Sequence, residues 1–335
     1  MWRKVTLDRG DAGVRLDRVL LRRLAGTPGL SRTKIQQWID AGRVTVNGRP
    51  APRAAWRTAV DDEVLVDMPA PRPRQRPVAE ALPIDVIYED DDLLVVNKPS
   101  GQVVHPSYKH ASGTLMNALL AYTPTPGLVH RLDKQTSGLV VVAKHRAAHV
   151  AVQRDMERHA VDKDYLAVVI GRPSPARGTI DLALDRDPWD RRRVTVRDRG
   201  GVPAVTRYER LATRKPAGGG EPALSLLRCR LITGRMHQIR VHLAARGWPI
   251  VGDPTYGARV APRFADPALD ETVRGFGRQA LHAWRLSLRL PSSGARLEVE
   301  APPPADLATL MARADLAVPV RAGSVSAGAK RRRTE

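Results

Sequence analysis

The sequence predicts an α+β fold in two parts. Helix-like and strand-like segments are mixed without the regular βαβ order that builds a parallel sheet. Residues 69–77, PAPRPRQRP, form a spacer by composition, because proline at this density blocks helices and sheet ladders and keeps the chain extended. A length of 335 residues suits about two domains. The expected boundaries are a small module over 13–68, a Pro/Arg-rich linker over 69–79, a larger domain over 80–312 and a disordered basic tail over 317–335.

In the small module, Leu16, Val19, Leu20 and Leu24 recur at helical spacing. Ser31 is a good N-cap for a second helix, which turns Ile35, Trp38 and Ile39 to one face and stops before Gly42. RVTVNGRPA reads as a short strand and an Asn47-Gly48 hairpin turn, and VDDEVLVDM as another strand. In the larger domain, IDVIYEDDDLLVVNKP reads as two strands joined by an acidic turn. SGTLMNALL reads as a capped apolar helix, GLVVVAK as a buried strand, and HRAAHVAVQRDMERHA as a helix. KDYLAVVIG, ALSLLRCRLI and WRLSLRL are further strands.

The formal net charge is +20, and arginine far outnumbers lysine. That balance speaks of a polyanionic partner, most often nucleic acid, rather than of fold. Arg32, Lys34 and Arg43 lie on or beside the two helices of the small module, where they are expected to meet RNA or to be solvated helix faces. Cys229 is the only cysteine, so an intrachain disulfide and a cysteine-based zinc site are excluded, and a buried or half-buried strand position is expected for it. No apolar run is long enough for a membrane span. MWRKVTLDRG lacks a signal-peptide apolar stretch, so the expected location is the cytoplasm.

Three segments carry chemistry. In HRLDKQTSG a lone acid, Asp133, sits between Arg131 and Lys134 and ahead of the apolar run. A lone aspartate before a strand is usually a turn residue. If partly buried, it must be paired or protonated, and a nearby arginine would hold it ionised, as a nucleophile or base requires. TGRMHQIRVHLAARGWPIVGDPTYG gathers Arg235, His237, Gln238, Arg240 and His242 among glycines. The two histidines, five apart, share no helix face, and no metal site is expected. In KDYLAVVIG, Tyr165 reads as a strand-edge tyrosine or, beside a cationic cleft, as a platform for a stacked base. Phosphate-loop, dinucleotide and nucleophile-elbow motifs are absent. A hydrolase with paired carboxylates would need a second acid; Asp253 is the only candidate, and nothing in the sequence places it close.

Taken in order, HRLDKQTSGLVVVAK, KDYLAVVIG and TGRMHQIRVHLAARGWPIVGDPTYG resemble the three signature segments of the RluA-type pseudouridine synthases. VVNKPSGQVVHP resembles that family's opening motif, which brings in Lys98, and residues 13–60 resemble its S-four type RNA-binding module. The resemblance implies a catalytic domain on a mixed, mostly antiparallel sheet with flanking helices. It also implies isomerisation of uridine to pseudouridine in structured RNA, without cofactor or metal. By matched position it implies Asp133 as the catalytic aspartate, Arg240 as its partner, Tyr165 as the stacking residue and Arg131 as the side chain that fills the flipped nucleotide's place. Lys98, Arg235, His237 and Gln238 are expected to bind substrate. VVHPSYKHASGTLMNALL and RQALHAWRLSL resemble the subgroup acting on a stem-loop of large-subunit ribosomal RNA, while Gln135 departs from the acidic residue of many relatives. The expected partners are ribosomal RNA or a pre-ribosomal particle, met by a monomer. The competing readings are a transfer-RNA enzyme of the same chemistry and a non-catalytic assembly factor.

Overall fold

A computed structural model of the chain describes residues 2–27, 30–69, 77–107, 110–190, 192–216, 222–258 and 262–318. Most of the expected linker and the expected basic tail lie outside the described residues. The chain divides into two compact units, Met1–Arg76 and Pro77–Glu335.

The first unit contains β1 (Trp2–Thr6), α1 (Leu16–Arg23), α2 (Arg32–Asp40), β2 (Val44–Val46), β3 (Arg49–Pro50) and β4 (Glu63–Asp67). Its antiparallel sheet has the order β1-β4-β2-β3. Leu16, Val19, Leu20 and Leu24 bury one face of α1 against Ile35 and Ile39 of α2 and Val44, Val64 and Val66 of the sheet. Ser31 Oγ accepts from Lys34 N at 3.3 Å and caps α2. Asn47 and Gly48 both have positive φ (50° and 77°), the geometry of the tightest hairpin turns. The unit starts earlier than the expected residue 13, because β1 pairs along all of β4. Only Val5 of β1 is buried, so its pattern is too weak to read.

Between the two helices lies a buried carboxylate, Asp17. It accepts from Arg15 (3.0 and 3.1 Å), Arg32 Nε (2.9 Å) and Gln36 Nε2 (2.8 Å). Burial opposes its charge, but these donors hold it well below the usual carboxylate range. Arg32 is therefore a clamp between helices. Arg43 pairs with Asp67 at 3.0 Å, and Lys34 lies over the Trp38 ring at 5.9 Å. All three keep some exposed surface.

The second unit opens with the hairpin β5 (Val86–Glu89) and β6 (Leu93–Lys98), whose turn closes on the Asp90 carboxylate. It continues through α3 (Leu115–Tyr122), β7 (Gly127–Leu128), β8 (Ser137–Ala143), α4 (Arg146–Glu157), β9 (Asp162–Ile170), β10 (Arg177–Asp181), β11 (Leu184–Arg186) and β12 (Val194–Val196). Then follow β13 (Val205–Arg214), β14 (Leu224–Leu231), α5 (Gln238–Ala245), α6 (Pro267–Arg274), β15 (Leu281–Arg289), β16 (Arg296–Glu300) and α7 (Ala305–Arg313). The main sheet runs β10-β13-β14-β9-β15-β8-β6-β5, with β16 added to β15 and β7 to β8. Its pairings are antiparallel except β8 with β15. This is the mixed α+β fold expected.

The unbroken apolar run of β8 has a physical reason. Val140 and Val142 enter the core on one face of the sheet, and Leu139, Val141 and Ala143 enter the core on the other, under Ala148 and Val152 of α4. A strand buried on both faces has no polar side to show. Cys229 is buried in β14.

The parallel junction of β8 and β15 depends on Gly138. Its φ is +114°, and a Cβ there would lie 2.2 Å from the Ala283 carbonyl oxygen. Gly138→Ala is expected to destabilise the fold by about 2–4 kcal/mol, from backbone strain and overpacking together. A urea midpoint equal to wild type would show that the two strands can part without loss.

Candidate active site

Strand β8, held in both cores, is the rigid base of the loop before it, 129–136. A set of contacts fixes that loop and its junction with β8. Val141 N donates to His130 Nε2 at 3.0 Å, so that nitrogen carries no proton. Burial, with Lys163 adding, lowers the His130 pKa to about 3, which keeps the ring neutral. Gln279 Nε2 donates to Thr136 Oγ1 (3.0 Å) and Arg278 Nη1 to the Gln135 carbonyl (3.3 Å). His282 Nε2 lies 3.0 Å from the Ala301 carbonyl and donates to it, which leaves Nδ1 to accept from the Ser137 hydroxyl at 2.9 Å.

A last contact corrects an expectation. Lys98 is buried at the end of β6 and does not reach an RNA surface. Its ammonium donates to the carbonyls of Pro99 (2.6 Å), Gln102 (3.0 Å) and Lys134 (3.3 Å). Burial lowers its pKa to about 7, against the opposing pull of Asp133 and with Arg278 adding. Three backbone carbonyls use all three of its hydrogens. Lys98→Met is expected to cost about 2–4 kcal/mol, since unsatisfied buried acceptors are expensive, and to slow turnover by loosening the Asp133 loop. The salt dependence of RNA binding should not change, whereas loss of a phosphate contact would lower it.

The facing wall is the turn 233–237 and the first turn of α5. Gln238, also expected to bind substrate, is buried with its amide saturated. Oε1 accepts from Thr233 Oγ1 (2.8 Å) and Arg235 N (3.0 Å), while Nε2 donates to Val205 O (3.0 Å) and Thr206 Oγ1 (2.9 Å). It shapes the turn and has no donor left for RNA. Arg235 is exposed, with Nε on the Pro203 carbonyl at 3.2 Å.

In the first turn of α5, Arg240 reaches back across the cavity. Nη1 donates to Asp133 Oδ2 at 3.0 Å. Nε and Nη2 grip Asp253 at 2.7 and 2.9 Å. The Arg240 side chain is 5% exposed and that of Asp253 1%, against 25% for Asp133. Burial would raise the Asp253 pKa, but Arg240 and the backbone N–H groups of Thr255 and Tyr256 hold it below the usual carboxylate range. Burial likewise opposes the Arg240 charge, and the two carboxylates more than restore it. Asp253 is thus close to Asp133 after all, but with a guanidinium between them. It does not make a paired-acid site; it aims the arginine. The sequence singled out Asp253 but held no sign of this bridge.

Tyr165 rises from β9 into the same cavity, buried; burial and the Asp133 charge push its phenol well above the ordinary range. The cavity is about 590 Å³, room for an extruded nucleotide. Asp133, Arg131, Tyr165, Arg235, His237 and Arg240 all line it, and Arg131 stands exposed. Of the expected residues, the fold thus brings seven to this cavity, Gln238 among them with its amide already saturated; it keeps Lys98 as a support and leaves Arg32, Lys34 and Arg43 in the first unit. A protonated aromatic, a carboxylate bonded to arginine and a shielded cation in one recess suit chemistry on one sugar–base unit. The carboxylate can attack or polarise, and the phenol stays protonated.

Comparison with known proteins gives the same picture. The family description RNA pseudouridylate synthase matches residues 92–245, and that of the S4 domain matches residues 14–64. An uncharacterized RNA pseudouridine synthase of Bacillus subtilis (strain 168) is 41% identical over 290 residues, 84% of this chain and 88% of that one. Ribosomal large subunit pseudouridine synthase D of Xanthomonas campestris pv. campestris is 42% identical over 308 residues, 90% of this chain and 88% of the relative. The Escherichia coli (strain K12) protein of that name is 39% identical over 318 residues, 91% and 92% of the two chains. Among solved structures, human RNA pseudouridylate synthase domain containing 1 superposes with a TM-score of 0.51 at 30% identity, covering 67% of this chain and 85% of its own.

Proposed function

We propose, for a chain that belongs to the RNA pseudouridine synthase family, that Asp133 is its catalytic carboxylate and a stem-loop of large-subunit ribosomal RNA its substrate. The protein isomerises uridine to pseudouridine in RNA. The bond from ribose C1′ to N1 breaks, the base turns, and a bond from C1′ to C5 forms. C5 loses a proton and N1 gains one, so no atom enters or leaves overall. Such a reaction needs the uridine out of its stack, at a cost of a few kcal/mol. A stacking aromatic such as Tyr165 returns about 1–3 kcal/mol, and Arg131 is suited to fill the vacated place. Asp133 then acts at the sugar, as nucleophile at C1′ or as base in an elimination.

One observation carries this reading: Asp133 Oδ2 lies 3.0 Å from a guanidinium fixed by a second carboxylate, in a cavity that also holds Tyr165. The likeness to large-subunit enzymes over most of the chain supports the choice of RNA. In this reading residues 13–68 serve as the RNA-binding domain and 80–312 as the catalytic domain. The enzyme works in the cytoplasm as a monomer, on free ribosomal RNA or a pre-ribosomal particle. Phosphate contacts set its register, while loops and bulges offer the accessible uridine.

The test is mass spectrometry of separated ribosomal and transfer RNA from a strain lacking the gene. Loss of pseudouridine from large-subunit ribosomal RNA is expected. Loss from transfer RNA alone would overturn the substrate, and no loss from either pool would favour an assembly factor.

A further inference from the structure

His237 is the N-cap of α5 yet makes no capping bond, and its backbone is left-handed, at φ 54° and ψ 17°. For a residue other than glycine that conformation costs about 1 kcal/mol and persists only where the surroundings hold it. Here they hold the ring. Nδ1 lies 3.0 Å from the Tyr256 hydroxyl, the rings meet edge to face at 5.6 Å, and Val194 N donates to the same hydroxyl at 2.8 Å. Tyr256 in turn lies under the Arg240 guanidinium, 5.1 Å from its ring centre. Among the described residues the hydroxyl hydrogen has no acceptor but Nδ1. The tyrosine therefore donates to the histidine. Burial, with Arg240 and Arg131 adding and the two carboxylates opposing, disfavours a second proton on the ring. The single ring proton then sits on Nε2, and Nε2 is 3.8 Å from Asp133 Oδ2.

Both groups that approach Asp133 do so at Oδ2. Arg240 is there at 3.0 Å and His237 at 3.8 Å. Oδ1 has no partner among the described residues. The histidine distance exceeds a hydrogen bond, as such distances often do before substrate closes a site.

We propose that Tyr256 fixes His237 as its Nε2–H tautomer and that this imidazole, with Arg240, ties down Oδ2 so that Oδ1 is the oxygen presented to the ribose. His237 is then a positioning residue acting through Asp133, and Tyr256 acts through His237. This rests on the reading of Asp133 as the catalytic carboxylate.

Two substitutions separate the ring nitrogens. Glutamine can place an N–H where Nε2 stands, whereas asparagine reaches only as far as Nδ1. Asparagine also tolerates left-handed backbone well, so His237→Asn keeps the turn. The measurements are single-turnover rate and dissociation constant on ribosomal RNA, with thermal melts as a check on folding. His237→Asn should lower the rate roughly 100-fold, the scale of a 1 Å misplacement at a reacting group, with unchanged RNA affinity. His237→Gln should recover most of it. Tyr256→Phe should lower the rate about tenfold in the wild-type background but add almost nothing to His237→Gln, because its effect passes through the imidazole. Equal rates for His237→Asn and wild type would overturn the proposal, as would equal losses for Asn and Gln. A full Tyr256→Phe loss in the His237→Gln background would mean that Tyr256 only supports Val194. Activity surviving in Asp133→Ala would instead remove the premise.

Discussion

Asp133→Ala is expected to abolish pseudouridine formation while leaving a folded, RNA-binding protein. The rate should fall by at least about 10⁴-fold, the usual consequence of removing the group that reacts with substrate. Stability should change little. Asp133 is the most exposed member of its cluster, and Arg240 keeps its two bonds to Asp253 when Asp133 is gone. No buried charge is stranded, which is what makes such removals costly elsewhere. RNA affinity should stay close to wild type, because phosphate contacts dominate it. Asp133→Asn should behave alike, since an amide keeps the shape but neither attacks C1′ nor takes up a proton. Carbodiimide-primer extension on ribosomal RNA measures the product. Normal yield from either variant would exclude Asp133 as the reacting group. Failure to bind RNA would instead mean that its role is structural.

The sequence made some of this site legible and hid the rest, for reasons that differ by residue. Strand β8 was readable because burial on both faces demands an unbroken apolar run. Helices α2 and α3 were readable from caps at Ser31 and Thr114. The bridge was not. Asp133 and Arg240 are 107 residues apart, and no local rule joins a loop after β7 to the first turn of α5. Lys98 and Gln238 read as ligand contacts because polar residues inside a motif look so until the carbonyls and hydroxyls around them are known. Their job is to satisfy the backbone of two irregular turns, which buried loops always require. Strand β10 was missed because only Ile180 in it is buried, too little to show a period. Helix α6 was legible in hindsight, since Asp266 caps it and Pro267 occupies its first turn.

The second large effect concerns Arg240. Arg240→Met should lower the rate by about 10³-fold or more, the scale of losing a preorganised electrostatic partner. It should also destabilise the fold by about 3–5 kcal/mol, because two carboxylates lose the cation between them, one of them deeply buried. Arg240→Lys should rescue poorly. One ammonium cannot hold Asp253 in a fork and still reach Asp133. The pH dependence separates this account from simple loss of packing. In the wild type, Asp253 lies below the usual carboxylate range, so it stabilises the fold above its unfolded pKa, about 4, and that benefit fades only in stronger acid. Without Arg240 the balance inverts. Burial, the first of the influences on Asp253, is left largely unopposed and raises its folded pKa above the unfolded one. The variant must then hold a proton that its unfolded state has released, so its stability falls as pH rises from about 4 through the new folded pKa. Urea unfolding should therefore show a deficit relative to wild type that is smaller at pH 5 than at pH 8. A deficit independent of pH would mean that Arg240 supports the site by volume alone, and that Asp253 does not depend on it to stay ionised.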